Sequence, residues 1–467
     1  MVHKYPSKPY LHFDKIASFN KKVENYVLGF KQNSSHSFLP LIFSELTFEK
    51  FNDIKDETAM KRNGQLVPIK EKKRPIMYAA HIDNFIYKHY SLELNDLYNR
   101  YAKDKQIDES VTAYRNNKKR QNNIHFAAEV INFIAKNPDC YIYIGDYQNF
   151  FDTLDHKLLK EMINLIYGSK MPTHQYKIFK SLTKYSYINK KEINLRLGED
   201  KEIFRTNQTC YFTSFKEFRK FKNGRSSITN DNSKILKVNT DIKGIPQGTA
   251  MSAIYSNIYM IKIDEYITNL LDSIGGLYRR YSDDFILVLT NINEKKFHTI
   301  KNQIENQIKK YKLLIHPQKT QTLTFDGRKI FDIKSQRLSK IDYLGFIFDG
   351  NEVRIREKSI YKYYRTVYKL IKKGEIVSRK KGFTKERIRL TYKRKIYQHY
   401  HQLGERTDIK YNYRKREFGT FITYANKCNK IFNEISPLTT NLMKEQIKNH
   451  QKKINKKIQK SLNTLMD

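Results

Sequence analysis

Short apolar runs bounded by turn residues alternate along this chain with longer segments whose apolar residues recur at helical spacing, which predicts an α+β protein. The first 60 residues carry a mixed, mostly helical pattern and predict an N-terminal helical extension. Residues 62–78 read as a hairpin of short strands, with Arg62-Asn63-Gly64 ahead of Val67-Pro68-Ile69-Lys70 and Arg74-Pro75-Ile76-Met77, the last two joined by a Glu/Lys turn. From about 79 to 137 the pattern is helical, broken near Val111–Asn123. Tyr141-Ile142-Tyr143-Ile144 is an apolar β run that ends at Gly145-Asp146. Residues 169–240 form a polar, aromatic-studded insertion with no clear period. Lys243-Gly244-Ile245-Pro246-Gln247-Gly248 is rich in turn residues and leads into a helix beginning near Ala250. Arg280-Tyr281-Ser282-Asp283-Asp284-Phe285, followed by Ile286-Leu287-Val288-Leu289, predicts strand, tight turn, strand. A helix at about 293–312 and a strand pair around Tyr343-Leu344-Gly345-Phe346-Ile347-Phe348 follow. Residues 351–467 are helical, with Ile360, Tyr364, Val367 and Ile371 on one face and Ile447, Ile454, Ile458 and Leu465 on another helix.

Charge changes this picture. Over 467 residues, Lys+Arg 88 stands against Asp+Glu 48, a net charge of +40. AT-rich codon bias would raise Glu along with Lys, so the asymmetry points to a polyanionic partner, most simply nucleic acid. The basic excess is concentrated in residues 351–467, with 31 Lys+Arg against 10 Asp+Glu. The plainer reading of that tail is a helical bundle with a solvated surface, and the sharper one is a clamp gripping duplex phosphates. The length predicts two or three subdomains. Cys140, Cys210 and Cys428 are isolated, which argues against a zinc site or disulfide framework and fits a reducing cytoplasm. Neither a signal peptide nor an apolar run of membrane-spanning length is expected.

The candidate chemistry sits at two turns. Asp283 and Asp284 occupy the tip of the predicted hairpin, and Asp146 ends the earlier apolar strand. Asp pairs are ordinary turn residues, and a lone Asp after a strand is most often a helix cap. If the two strands are neighbours, however, three carboxylates meet, which is costly unless cations lie between them. Two-metal phosphoryl transfer needs that arrangement, with ions roughly 3.5–4 Å apart.

Taken in order, Asp146-Tyr147-Gln148-Asn149-Phe150-Phe151-Asp152, Gly244-Ile245-Pro246-Gln247-Gly248 and Tyr281-Ser282-Asp283-Asp284 resemble a reverse transcriptase. His316-Pro317-Gln318-Lys319-Thr320 resembles the lysine-bearing palm segment, Tyr343-Leu344-Gly345-Phe346 the primer-grip hairpin, and Arg74-Pro75 and Ala113-Tyr114-Arg115 the two fingers motifs. The resemblance covers about residues 62–350. It implies a right-hand polymerase: an N-terminal extension (1–60), fingers (61–140), a palm of antiparallel sheet on helices (141–350, with the insertion at 169–240) and a helical basic thumb and tail (351–467).

It also implies roles. Asp146, Asp283 and Asp284 would ligate Mg²⁺, with Mn²⁺ as the alternative ion. Phe151 would crowd the sugar 2′-OH, against a plainer role in core packing. Gln247 and Gly248 would meet the incoming nucleotide and template. Arg74, with Lys70 or Lys72, would hold the triphosphate, although each alone reads as a solvated surface charge. Lys319 would protonate pyrophosphate or else form a structural salt bridge. His156 and His316 receive no role.

The implied partners are an RNA template, dNTPs and a DNA product, with oligomerisation through the tail left open. No Cys-rich endonuclease tail is visible, the Pro-Gln-Gly motif is intact, and the chain is longer than retron enzymes. That layout is most similar to the bacterial defence-associated, abortive-infection-like reverse transcriptases. Template-independent synthesis, or priming from one of the 34 tyrosines, stays open as an alternative. So does a silent RNA-binding scaffold, which the joint presence of the carboxylates, Gln247 and Arg74 opposes.

Overall fold

The computed structural model describes residues 5–51, 61–62, 65–66, 69–223, 235–382, 387, 396, 400, 405–406, 417–418 and 420–464. Asn63, Gly64, Val67, Pro68 and Leu465, which figure in the expected hairpin and terminal helix, lie outside the described residues. The first helix, α1 (Lys21–Asn33), is capped by the Asn20 side chain, which accepts from the Val23 N–H. The strand β1 (Leu41–Phe51) follows and corrects the expectation of a mostly helical first 60 residues. Its Ile, Thr and Phe residues favour extended backbone once a partner strand is present. The two-residue strands β2 (Lys61–Arg62) and β3 (Gln65–Leu66) pair with each other. Then β4 (Ile69–Tyr78) runs unbroken against β1, from Phe51–Ile69 to Ile42–Tyr78. The turn expected at Glu71-Lys72-Lys73 is therefore strand, because β1 supplies these residues with ladder partners at Glu49, Phe48 and Thr47.

The helices α2 (His81–Asp104) and α3 (Asn123–Lys136) precede the strand β5 (Cys140–Asp146) and the helices α4 (Phe150–Thr153) and α5 (His156–Tyr167). The insertion is built from α6 (Thr173–Thr183), β6 (Ser186–Asn189), α7 (Lys190–Leu197), α8 (Asp200–Arg205), α9 (Phe215–Lys222) and β7 (Lys237–Val238). It folds onto the N-terminal strands: β6 runs parallel to β1, giving a sheet of order β4-β1-β6-β7. Its aromatic residues Tyr211, Phe218 and Phe221 share a core with Leu11, Phe13, Ile42 and Ile188.

The helices α10 (Ala250–Tyr259) and α11 (Ile261–Asp272) lead to the hairpin β8 (Leu277–Tyr281) and β9 (Asp284–Leu289), then to α12 (Glu294–Lys310), β10 (Gln321–Phe325) and β11 (Ile330–Asp332). These strands surround β5 in a five-stranded sheet of order β11-β10-β5-β9-β8. Leu287, Leu289 and Tyr143 join the core with Phe297, Ile300 and Ile304 of α12. Ile142, Ile144, Ile286 and Val288 join Ile131 and Ile134 of α3 on the other side. Coverage on both faces explains why Ile286-Leu287-Val288-Leu289 is apolar without alternation.

A second sheet follows, with β12 (Ile341–Tyr343), β13 (Phe346–Phe348) and β14 (Glu352–Ile355) in antiparallel order. Beyond α13 (Glu357–Lys381) come the short pair β15 (Glu405–Arg406) and β16 (Glu417–Phe418), α14 (Phe421–Ile435), the strand β17 (Thr440–Asn441) and α15 (His450–Asn463). Ile447 lies in a 3₁₀ turn ahead of α15 rather than within that helix, a small correction. The tail is not an appendage. β17 pairs with β14, and Ile422, Ala425, Cys428 and Phe432 of α14 belong to the core beneath the central sheet. Among the described residues no helix is long and apolar enough to cross a membrane.

Candidate active site

The strand β5 places Asp146 directly opposite Asp284 of β9, and Asp284 in turn opposes Tyr281 across the hairpin. Directly opposed residues of an antiparallel pair project from the same face. Gly145 comes just before, and a Cβ there would sit 2.3 Å from the Phe285 ring. Glycine thus lets the ring lie across β5 and sets Asp146 at the strand end. The backbone around Asp146 is tied down: its carbonyl accepts from the His316 N–H at 2.8 Å, and the Tyr147 N–H donates to the Asp283 carbonyl at 3.1 Å.

Electrostatics mark the same place. Burial raises the Asp284 carboxyl, and the charges of Asp283 and Asp146 raise it further, up to about 7, against the pull of Lys319 and Arg356. Its side chain still opens to solvent on one side. Asp146 is turned onto Lys319, whose Nζ lies 2.6 Å from Oδ2. Of the two roles left open for Lys319, the salt bridge is therefore present here. Among the described residues no three acidic, His or Cys side chains already converge closely enough to hold an ion. The donor set nonetheless fits one: hard carboxylate oxygens suit Mg²⁺ or Mn²⁺, and a lysine ammonium already neutralises one of them.

The hairpin tip is held from below by groups that carried no expected role. Arg280 is fully buried, and its Nη2 and Nε meet Asp264 Oδ2 and Oδ1 at 2.6 and 2.8 Å. Its Nη1 donates to the Ser282 carbonyl at 3.0 Å and to Asn257 Oδ1 at 3.2 Å. Burial alone would push the guanidinium down, but the Asp264 carboxylate holds it well above its ordinary value. Ser282 takes a positive φ of 61°, as a tight hairpin turn requires of one residue, and Arg280 fastens the carbonyl of that residue. The sequence signal existed. A charged residue inside a buried strand needs a buried partner, and Asp264 sits on the apolar face of its helix.

The residues expected on the nucleotide side lie in a second group. The Gln247 carbonyl accepts from the Met77 N–H of β4 at 2.8 Å. Gly248 has φ 129°, and a Cβ there would meet the Met77 carbonyl oxygen at 2.3 Å, so only glycine fits. The Ile245 N–H donates to the carbonyl of Phe151, which is half-buried against the main core. Lys70, Lys72 and Arg74 alternate along β4 and so share one face; Lys72 and Arg74 are exposed. Arg74 lies 6.0 Å from the Phe48 ring, and Lys362 of α13 lies 5.9 Å from the same ring. In the segment Ala113-Tyr114-Arg115, Arg115 is buried and occupied with Asp108, Asn99 and the Val111 carbonyl. Tyr114 is the one that reaches the site, its hydroxyl accepting from Ser282 Oγ at 3.3 Å. The hairpin β12–β13 turns at Leu344 and Gly345, both with positive φ. Beside it a cavity of about 370 Å³ is lined by Lys340, Arg356 and Tyr361, among others.

The family model described as reverse transcriptase (RNA-dependent DNA polymerase) matches residues 60–348. None of the curated proteins matches. Among solved structures, an apo telomerase from Candida tropicalis truncated from the C-terminal domain is 13% identical over 73% of this chain and 61% of its own, with TM-score 0.41. A telomerase from Candida albicans in complex with a TWJ fragment of telomeric RNA is 12% identical over 90% of this chain and 61% of its own, with TM-score 0.42. The chain spans about three fifths of the length of these two telomerases.

Proposed function

The chain belongs to the reverse transcriptase family and has its right-hand polymerase fold, and on that premise we propose that it is an RNA-directed DNA polymerase. Fingers near 61–140, a palm near 141–350 and a thumb within 351–467 then surround the carboxylate turn. The observation that carries this reading is Asp146 set opposite Asp284 on paired strands, with Asp283 at the adjoining turn and Lys319 as counter-ion.

The family uses divalent metal ions; here Asp146, Asp283 and Asp284 would hold them, with Mg²⁺ as the proposed ion. When bound, such ions stabilise charge on the attacking and departing oxygens of phosphoryl transfer. The chain's own groups do the rest. Arg74, with Lys70 or Lys72, binds the triphosphate from the exposed face of β4. Phe151 bounds the sugar pocket and crowds a 2′-OH. Gln247 contacts the nucleotide from a loop locked onto β4. Lys319, released from Asp146, donates a proton toward pyrophosphate. By its resemblance, the biological setting is defence against phage in the cytoplasm.

The test is primer extension by the purified protein with Mg²⁺ and dNTPs, keeping any co-purified RNA and sequencing the products. Complementary DNA that disappears in Asp283→Ala/Asp284→Ala, with RNA binding retained, is the expected result. Full synthesis by that double variant would sink the site. Products that ignore every supplied template would replace the reading with template-independent synthesis.

A further inference from the structure

A cavity of about 1010 Å³ lies apart from the carboxylate turn, none of whose residues lines it. It opens between α1, the segment leading into β1, the start of α2 and α9. Its volume sits at the upper end of ligand pockets, roughly 300–1,000 Å³. Two exposed rings flank it: Tyr26 of α1 and Phe215 of α9, the latter 63% exposed although the neighbouring Phe218 and Phe221 are buried. Isolated exposed rings are unremarkable, but Tyr26 is held in place. Its hydroxyl bonds His36 Nδ1 at 2.8 Å, and His36 Nε2 bonds the buried Asp83 at 2.6 Å.

Charge and hydrogen-bonding capacity narrow the occupant. Lys22, Arg219 and Lys222 line the cavity beside two carboxylates, Asp14 and the His36-bonded Asp83, and the excess of cations favours an anionic ligand. One acceptor is left unsatisfied. Asp14 Oδ2 takes the Ile82 N–H at 3.1 Å, but the buried Oδ1 has no hydrogen-bond partner among the described residues. His12 Nδ1 lies 3.8 Å from Oδ1 and gives it no proton. That nitrogen already accepts from the Phe13 N–H, and burial pushes the His12 ring down to about 3, so it is neutral. Flat rings, phosphate-pairing cations and one unsatisfied acceptor together suit an unpaired nucleotide.

We propose that this cavity binds unpaired nucleotides of an RNA strand, stacking bases on Tyr26 and Phe215, pairing phosphates with Lys22, Arg219 and Lys222, and offering Asp14 Oδ1 to an exocyclic amino group. Adenine, cytosine and guanine present such a group. Uracil presents its N3–H between two carbonyl oxygens, which a carboxylate repels. That the strand is RNA rests on the function proposed above; the pocket chemistry does not.

The test is fluorescence anisotropy with labelled tetranucleotides ApApApA and UpUpUpU, on full-length protein whose cleft is filled with excess unlabelled primer–template. The expected result is tighter binding of the adenine probe, about tenfold weaker in Phe215→Ala and weaker again in Arg219→Ala/Lys222→Ala. In Asp14→Asn, which keeps an acceptor for Ile82, the adenine preference shrinks. Primer extension by Phe215→Ala stays near wild type, and tetranucleotide binding by Asp283→Ala/Asp284→Ala is unchanged, so failure of the polymerase reading and of this pocket are told apart. Binding by the three pocket variants within twofold of wild type, with thermal stability intact, overturns the proposal. So does complete competition by free AMP at concentrations equal to those of the tetranucleotide, which would make the occupant a mononucleotide.

Discussion

Arg280 offers the sharpest separation of stability from activity. Arg280→Met removes the fork from Asp264 and leaves that carboxylate in the interior with the Tyr278 hydroxyl, 2.7 Å away, as its side-chain donor. Breaking a buried ion pair from one side costs about 3–5 kcal/mol, a large part of a typical stability of about 5–15 kcal/mol. Arg280→Lys keeps a positive charge beside Asp264 but cannot reproduce the fork that also reaches the Ser282 carbonyl and Asn257. Two lost hydrogen bonds at about 0.5–1.5 kcal/mol each give a destabilisation of about 1–3 kcal/mol. The activity cost runs differently. Without its anchor at the Ser282 carbonyl the turn is free to shift, and a misplacement of about 1 Å costs about 10²-fold in rate. Urea unfolding and single-turnover extension on one primer–template would measure both. The expected pattern is a lysine variant that unfolds well above the methionine variant yet extends primers about 10- to 100-fold more slowly than wild type. If Arg280→Lys turns over at the wild-type rate, the arginine is core packing and its grip on the turn has no bearing on the reaction.

Four further outcomes follow from other parts of the structure. Phe151→Ala should admit rNTPs, measured as the ratio of rNTP to dNTP kcat/KM; an unchanged ratio returns Phe151 to the core. Gly248→Ala should raise the dNTP KM about tenfold or more, because its Cβ collides with the Met77 carbonyl and displaces the Gln247 loop at a φ that disfavours side chains; a wild-type KM would show that the loop does not meet the nucleotide. Lys362→Ala/Lys369→Ala on α13 should flatten the plot of log affinity against log salt for duplex by up to about 2, and an unaltered slope would place the grip elsewhere. His12, depressed to about 3 by burial, stays neutral in the folded chain while the unfolded chain takes up a proton near 6.5. Its contribution is therefore present above pH 6.5 and is lost as pH falls toward 3, by about 2 kcal/mol between pH 6.5 and 5. His12→Gln should remove that loss in urea unfolding at the two pH values, and an identical loss in the variant would show that His12 does not carry it.

The motif-bearing strands were legible because their apolar runs are short and bounded by turn residues. Tyr141–Ile144, Ile286–Leu289 and the Tyr343–Phe348 hairpin all fall where periodicity and turn chemistry put them. β1 was not, because Leu41–Phe51 mixes apolar, acidic and basic residues and is defined by its partner β4, which lies beyond it in the chain. The same non-local pairing turned the expected Glu71-Lys72-Lys73 turn into strand. The insertion hid for a related reason: its β6 lies between β7 and β1, the latter far back in the chain. Among site residues, the ones that touch solvent were named from motifs, while a charged residue in a buried strand signalled a partner for Arg280 without saying that Asp264 and Asn257 supply it. Arg115 shows the converse. It sits inside a recognisable motif, yet its guanidinium is consumed by Asp108 and Asn99, and the neighbouring Tyr114 faces the turn.

Each of the two residue groups of the site is tied down by backbone pairing, and one packed ring lies between them. The carboxylate group is fixed by β5, β9 and the buried Arg280–Asp264 pair. The nucleotide group hangs on β4 through the bond between Met77 and Gln247, and on α4 through the bond between Ile245 and Phe151. Between them, Tyr147 packs against both Phe150 and Phe285, with ring centroids 5.5 and 5.3 Å apart. The part held by strand pairing is thus the part that repels itself. Asp146, Asp283 and Asp284 are brought to one strand end by sheet pairing, whatever their mutual repulsion costs, and Lys319 offsets part of it. On the proposed function, Asp146 rotated away from Lys319 would turn its carboxylate toward a cation held with Asp283 and Asp284. The same rotation would free Lys319 for the part the proposed function gives it at the departing phosphate.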